Sequence, residues 1–329
     1  GLMDMQTKSV SETGLPAQNF AVLALQRRVF ARSNIRLMFV NKQSIDYHPG
    51  QDSGKPVYNL YNRNLGLEYN LASANNKWTG KAMMVKSFSP GKSSGDFAQA
   101  ANLQYTTKKW IVSWQHEYVG KSYNAEVGYV PRNNYIKVNP LVSYLFFPKS
   151  GKVLSHGPTV SPTYYFDESL HRTDNETILL YKLNFRDQSL FDAWVGRDYV
   201  ELLKPFDPTN SGKDTLAAGT KHTWNAWGTD YISKPQKLFT FLFSTRYGGY
   251  YADGKRLNIS GEIGYRFQPY VSINLSTSYN NIKLPQPWGT TNFWLIGPRI
   301  DVTFTNKLFF TTFVQYNDQQ KNINLNTRL

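Results

Sequence analysis

The sequence predicts an all-β protein, a large up-and-down antiparallel transmembrane β-barrel of sixteen or more strands. Three observations predict it. Segment after segment alternates apolar and polar residues with period two. The connections between segments alternate short and long. Aromatic residues, 15% of the chain, recur near segment ends.

Composition bounds the alternatives. Charged residues are 18% of the 329, below the typical quarter or so. There is no cysteine, which excludes disulfides, thiolate metal sites and thiol nucleophiles. No apolar run reaches the roughly 18 residues a membrane helix needs. The mean hydropathy is negative, as expected where barrel strands alternate lipid-facing and lumen-facing residues. The opening residues lack a basic stretch followed by an apolar segment, so no signal peptide is read there. The net charge of +14 is dispersed rather than gathered into one face. It argues for anionic lipid headgroups, acidic glycans or a mildly anion-attracting lumen, and against nucleic acid.

The period-two segments read in order at 64–71, 110–118, 178–185, 238–247, 257–267, 271–280 and 294–304. In 238–247, Phe239, Phe241, Phe243 and Tyr247 oppose Thr240, Ser244 and Arg246. In 257–267, Leu257, Ile259, Ile263, Tyr265 and Phe267 oppose Asn258, Ser260, Glu262 and Arg266. In 271–280, Val271, Ile273, Leu275 and Tyr279 oppose serines and asparagines.

Period two does not separate a membrane barrel from a soluble sandwich, so the connections decide. Short turns are expected at 30–33, 74–78, 106–109, 149–152, 186–189, 233–237, 267–270 and 305–307. Longer connections are expected at 45–57, 90–96, 120–134, 167–176, 206–219, 250–255 and 282–291. Tight periplasmic turns opposite long outer loops produce that alternation, and a Greek-key sandwich does not. Trp78, Trp110, Tyr118, Tyr247 and Trp294 fall where an interfacial girdle would sit. Short periplasmic turns send the strand at 18–30 downward and end 322–329 partway down. About sixteen full strands and a terminal stub are therefore expected, with sequence missing at both ends. The short turns carry Lys77, Lys108, Lys109, Lys149, Lys152, Lys234, Lys237 and Lys307, a basic periplasmic rim.

Residues 5–9 (MQTKS), 16–44, 118–134 (YVGKSYNAEVGYVPRNN) and 313–329 (FVQYNDQQKNINLNTRL) resemble the C-terminal domain of a Bacteroidota outer-membrane family. The most specific part of the match surrounds Glu126, Val127, Gly128, Pro131 and Arg132. The resemblance implies an outer-membrane barrel following an N-terminal domain similar to family 9 carbohydrate-binding modules. It also implies continuation past Leu329 into a strand with an aromatic end. It implies no activity and no catalytic residues.

A search for chemistry yields little. His48, His116, His156, His171 and His222 form no metal-type pair. Ser113 and His116 have opposite strand parity, which argues against a hydrolase pair. GKSS at 91–94 lacks phosphate-loop spacing, and the Asn-X-Ser/Thr patterns at 175–177 and 258–260 carry no meaning in a bacterial barrel. No metal or cofactor is expected.

Parity places Arg36, Glu68, Glu117, Lys182, Arg246, Glu262, Arg266, Arg299 and Asp301 on the lumen side. Cross-strand ion pairs are the favoured reading of these charges, ahead of a conduit-lining field. The 120–134 connection, with Glu126, Gly128, Pro131 and Arg132, reads as a structured extracellular loop. Folded in, it would plug or brace the lumen; folded out, it would recognise a partner or glycan. The expected function is a non-enzymatic channel or a transport or assembly component of the bacterial outer membrane. The alternative is a plugged barrel that anchors surface glycan or protein binding. Expected partners are outer-membrane lipid and lipopolysaccharide, other outer-membrane or periplasmic proteins, and glycans.

Overall fold

In a computed structural model the described residues are 1–50, 54–91, 94–212 and 214–329, so Lys92 and Ser93 of the GKSS stretch lie outside them. Among the described residues every regular element is a strand. No helix is long and apolar enough to cross a membrane, which says nothing about crossing by strands.

The chain divides into two compact units. One comprises Gly1–Leu141 with Thr163–Arg172, the other Val142–Pro162 with Thr173–Leu329. The first unit holds β1 (Leu2–Thr7), β2 (Ala17–Val29), β3 (Ser33–Ile45), β4 (Tyr61–Ala72), β5 (Trp78–Phe88), β6 (Phe97–Thr106) and β7 (Trp110–Val119). Each pairs antiparallel with the next. β8 (Tyr135–Tyr144) and β9 (Val153–Phe166) divide their residues between the two units.

The second unit holds β10 (Arg172–Phe185, from Thr173), β11 (Leu190–Glu201), β12 (Lys221–Ile232) and β13 (Phe239–Tyr250). It continues with β14 (Gly254–Phe267), β15 (Val271–Lys283), β16 (Thr290–Thr303), β17 (Phe309–Asn317) and β18 (Asn322–Arg328). Sequential antiparallel pairing runs from β10 to β18. The fold is all-β, antiparallel and up-and-down within each unit.

The register explains the two faces, because alternate residues on every strand point the same way. In the first unit Arg36, Glu68, Met83, Ala100 and Glu117 form one row across five strands. In the second unit Lys182, Asp192, Asp230, Ser244, Ser260 and Ser278 form a row across six. The opposite face is apolar and open: Leu67 is 55% exposed, Trp227 53% and Ile263 53%. The largest fully buried side chains are Asn62 and Thr173. This inverts the order of a water-soluble protein, whose core is apolar. A soluble monomer rarely exposes a contiguous apolar patch above a few hundred Å².

Three expectations change. β1, too short for its pattern to announce a strand, lies antiparallel to β2, with Leu2 opposite Leu23 and Thr7 opposite Gln18. Short and long connections do not alternate without exception. Only residues 251–253 join β13 to β14, because Ala252 and Asp253 take positive φ values of 50° and 57° ahead of Gly254 and close the hairpin tightly. The connection after β9 likewise shrinks to 167–171, closed by the Asp167 carboxylate accepting from the Ser169 and His171 amides, both at 2.9 Å. Conversely the expected 149–152 turn spans 145–152 and carries a Phe146–His156 bridge.

Candidate functional site

The 120–134 connection folds onto the polar face of the first unit. Its entry needs a glycine, since a Cβ on Gly120 would stand 2.4 Å from the Gly95 carbonyl oxygen. Tyr123 N–H then donates to the Gly120 carbonyl at 3.2 Å, and Gly128 N–H to the Ala125 carbonyl at 2.9 Å. The second turn leaves ordinary van der Waals room for a Cβ at Gly128, so that glycine is not sterically required. Asn134, at a φ of 61°, ends the loop ahead of β8.

Glu126 is the anchor. Its carboxylate accepts from Lys42 Nζ, from Asn59 Nδ2 and, at 3.1 Å, from Asn124 Nδ2. Its own N–H donates to Asn62 Oδ1 at 3.1 Å. Asn62 Nδ2 donates to the Asn124 carbonyl at 3.0 Å and to Ser89 Oγ at 2.9 Å, and Asn64 Nδ2 donates to Asn62 Oδ1 at 2.8 Å. Lys42 and Asn62 are direct cross-strand partners, which sets the loop on the polar side of β3 and β4. Burial pushes the Glu126 carboxyl up, but hydrogen bonds from Lys42 and Asn59 and the Lys42 charge outweigh it. The pKa settles below the ordinary carboxylate value.

Arg132 holds the other limb. Its guanidinium lies 5.7 Å from the Tyr135 ring centre and 5.5 Å from that of Tyr165, within cation–π range. Tyr135 donates its hydroxyl to Glu117 at 3.1 Å, and Lys137 pairs with the same carboxylate at 3.3 Å. The structure thus connects the candidate loop to one of the candidate polar-face charges.

Most of the remaining polar-face charges are paired. Glu68 sits between Arg36 at 3.2 Å and Lys81 at 2.7 Å. Lys182 faces Asp192 directly across the ladder at 3.5 Å, and Arg246 meets Asp198 at 3.6 Å. Arg299 grips Asp301 two residues along its own strand at 2.9 Å. Arg266 has a different role, donating to the carbonyls of Pro235 and Lys237 in a short turn. Glu262 stands opposite Ser276 and Leu242 in the ladder.

Parity alone places Asp192 and Asp198 on the same face as Lys182 and Arg246, where they are the partners of those cations. No local signal marked Lys42 or Asn62 as the seat of Glu126. His116 lies on the apolar face and accepts from Trp114 Nε1 at 3.2 Å. Ser113 and His116 stand three register positions apart, opposite Gln104 and Ala101, and so point to opposite faces. Among the short-turn lysines, Lys234 is tied to Asp187 at 2.8 Å. Hydrogen bonds from Lys234 and Ser189 hold the Asp187 carboxyl far below its usual range.

These features define a class: an antiparallel up-and-down β protein with an apolar exposed face, an ion-paired polar face and a loop docked on the latter. The chain belongs to the family described as Domain of unknown function (DUF5916), whose profile matches residues 4–329. No curated protein and no solved structure matches it.

Proposed function

We propose that this chain is an outer-membrane β-barrel of the Bacteroidota, acting as a channel or as a transport or assembly component. In this reading its polar face lines the lumen and the 120–134 loop constricts it. The inversion of polarity carries the proposal: buried asparagine and threonine on one side, open leucine, tryptophan and isoleucine on the other. Lipid is the solvent that makes such a surface stable, at roughly 25 cal/mol per Å² of apolar area withdrawn from water. Phospholipid and lipopolysaccharide are then its immediate partners. The short-turn lysines suit inner-leaflet phosphates.

The four hydrogen bonds through which Glu126 is held favour a second reading. In it the loop is a permanent plug, and the barrel anchors glycan or protein binding, with a carbohydrate-binding-module-like domain preceding it. Reconstitution in planar lipid bilayers separates the two. Stepwise conductance that rises when Glu126→Leu and Lys42→Met release the loop supports a gated conduit. Insertion without conductance, in wild type and double variant alike, sinks the channel and leaves the anchor.

A further inference from the structure

The polar face of the first unit is not polar throughout. One row inward from the Arg36–Glu68 pair, Met38, Gly66, Val85, Ala98 and Val119 lie side by side across five strands. The docked loop roofs part of this band with Val127, Val130 and Pro131, leaving a cavity of about 670 Å³. A second cavity of about 660 Å³ shares Met38, Met83 and Val85 with it and reaches Gln26, Arg36 and Glu68. Apolar walls with a few polar groups at one end, at volumes of roughly 300–1,000 Å³, are the make-up of a small-ligand site. The methionines give it walls that adapt to an irregular chain.

Charge tells which ligand. At the loop end, Lys42 balances Glu126, Lys137 balances Glu117, and the Arg132 guanidinium is taken up by the faces of Tyr135 and Tyr165. At the far end Arg36 and Lys81 share the single carboxylate of Glu68, and their side chains remain 50% and 46% exposed. The far end of the trough therefore carries solvent-accessible surplus positive charge, next to an apolar length. From Arg36 to Lys42, β3 rises roughly 20 Å at about 3.4 Å per residue.

We propose that this unit binds a long-chain carboxylate, its acyl chain lying along Met38, Met83 and Val85 beneath the loop and its head at Arg36 and Lys81. The proposal rests on the barrel reading only in taking the polar face as the interior.

The test uses the full chain in phosphatidylcholine nanodiscs and a palmitate analogue carrying a mid-chain photoreactive diazirine, with adducts mapped by residue. Adducts are expected on Met38, Met83 and Val85, competed by palmitate at concentrations that leave labelling of outward Leu37, Leu67 and Met84 unchanged. Each methylene removed from the competitor should weaken it about fourfold. Arg36→Gln with Lys81→Gln should weaken palmitate on the order of tenfold. Ala100→Trp should abolish polar-face labelling by filling the cavity. Retained trypsin resistance of the 120–134 loop shows that each variant is folded. Labelling confined to the outward residues, or equal competition by hexadecyltrimethylammonium, overturns the proposal. A chain that does not enter lipid refutes the barrel reading instead, and the same labelling in a neutral amphipathic polymer still decides the cavity.

Discussion

The two units use the same strand architecture to build unlike polar faces. In the second unit a complete row reads Lys182, Asp192, Asp230, Ser244, Ser260 and Ser278, every member able to hydrogen-bond across the ladder. Ser244 donates to Asp230 at 2.5 Å, and Asn258 to Ser278 at 3.0 Å and Asn280 at 3.1 Å. Those bonds tie neighbouring strands to one another directly. In the first unit the row of Met38, Gly66, Val85, Ala98 and Val119 offers no side-chain donor. There the polar groups of Lys42, Asn59 and Asn62 turn to a loop instead. One face directs its polar side chains to neighbouring strands; the other, which carries an apolar band, directs them to a loop.

The largest expected effect lies at the loop anchor. Replacing Glu126 by Leu strands Lys42, whose side chain is only 9% exposed, without its counter-ion. Removing one partner of such a pair costs about 3 kcal/mol. Hydrogen exchange across 120–134 should accelerate accordingly while the second unit's strands keep their protection. Equal acceleration in both units would erase the contrast drawn above.

The same anchor should respond to acid. The Glu126 pKa is lowered in the folded state. Its contribution is therefore fully present above the ordinary carboxylate value and is lost as pH falls through the lowered one. Loop protection, taken relative to the intrinsic exchange rate at each pH, should hold steady down to the ordinary carboxylate value and fall progressively from there through the lowered one.

Leu67→Arg comes next. Leu67 is 55% exposed, so in water the change should cost within about 0.5 kcal/mol. In lipid, a mid-strand arginine on the outer face costs roughly 2–4 kcal/mol. Unfolding titrations in bilayers should show that penalty, and Ile263→Arg should show a similar one, since Leu67 and Ile263 are alike in exposure on the apolar faces of the two units.

Gly228→Ala probes packing in the second unit. A Cβ there would stand 2.1 Å from the Thr245 carbonyl oxygen and 2.5 Å from the Trp194 ring. Overpacking of this kind costs about 1–3 kcal/mol, read as a lower denaturant midpoint with the 120–134 loop still protected. The smallest effect is expected for Arg299→Gln. Arg299 is 53% exposed in its pair with Asp301, so the loss should not exceed about 1 kcal/mol. Set beside Glu126→Leu, it measures how much more the first unit depends on one ion pair than the second does.

Much of this was legible in the residues. Phe239, Phe241 and Phe243 against Thr240 and Ser244 announced both the strand and its two faces, because a pleated strand alternates by geometry alone. The same parity put Ser113 and His116 on opposite faces. It failed at 250–255, where Asp253-Gly254 is a tight-turn pair as well as a loop marker, and at Leu2–Thr7, too short for its pattern to stand out. Glu126 was singled out, but its partners Lys42, Asn59 and Asn62 lie more than sixty residues earlier.

Taken alone, then, the sequence determined the strands, their alternation and which charges share a face. These follow from backbone geometry within a dozen residues. Only the tertiary structure decided that the 120–134 loop docks on that face, that Arg132 reaches Glu117 through Tyr135, and that methionines and alanines of separate strands merge into one apolar trough. Those outcomes depend on which strands become neighbours and in what register. Pairing energies summed over whole ladders set that, and no single segment of the chain contains it.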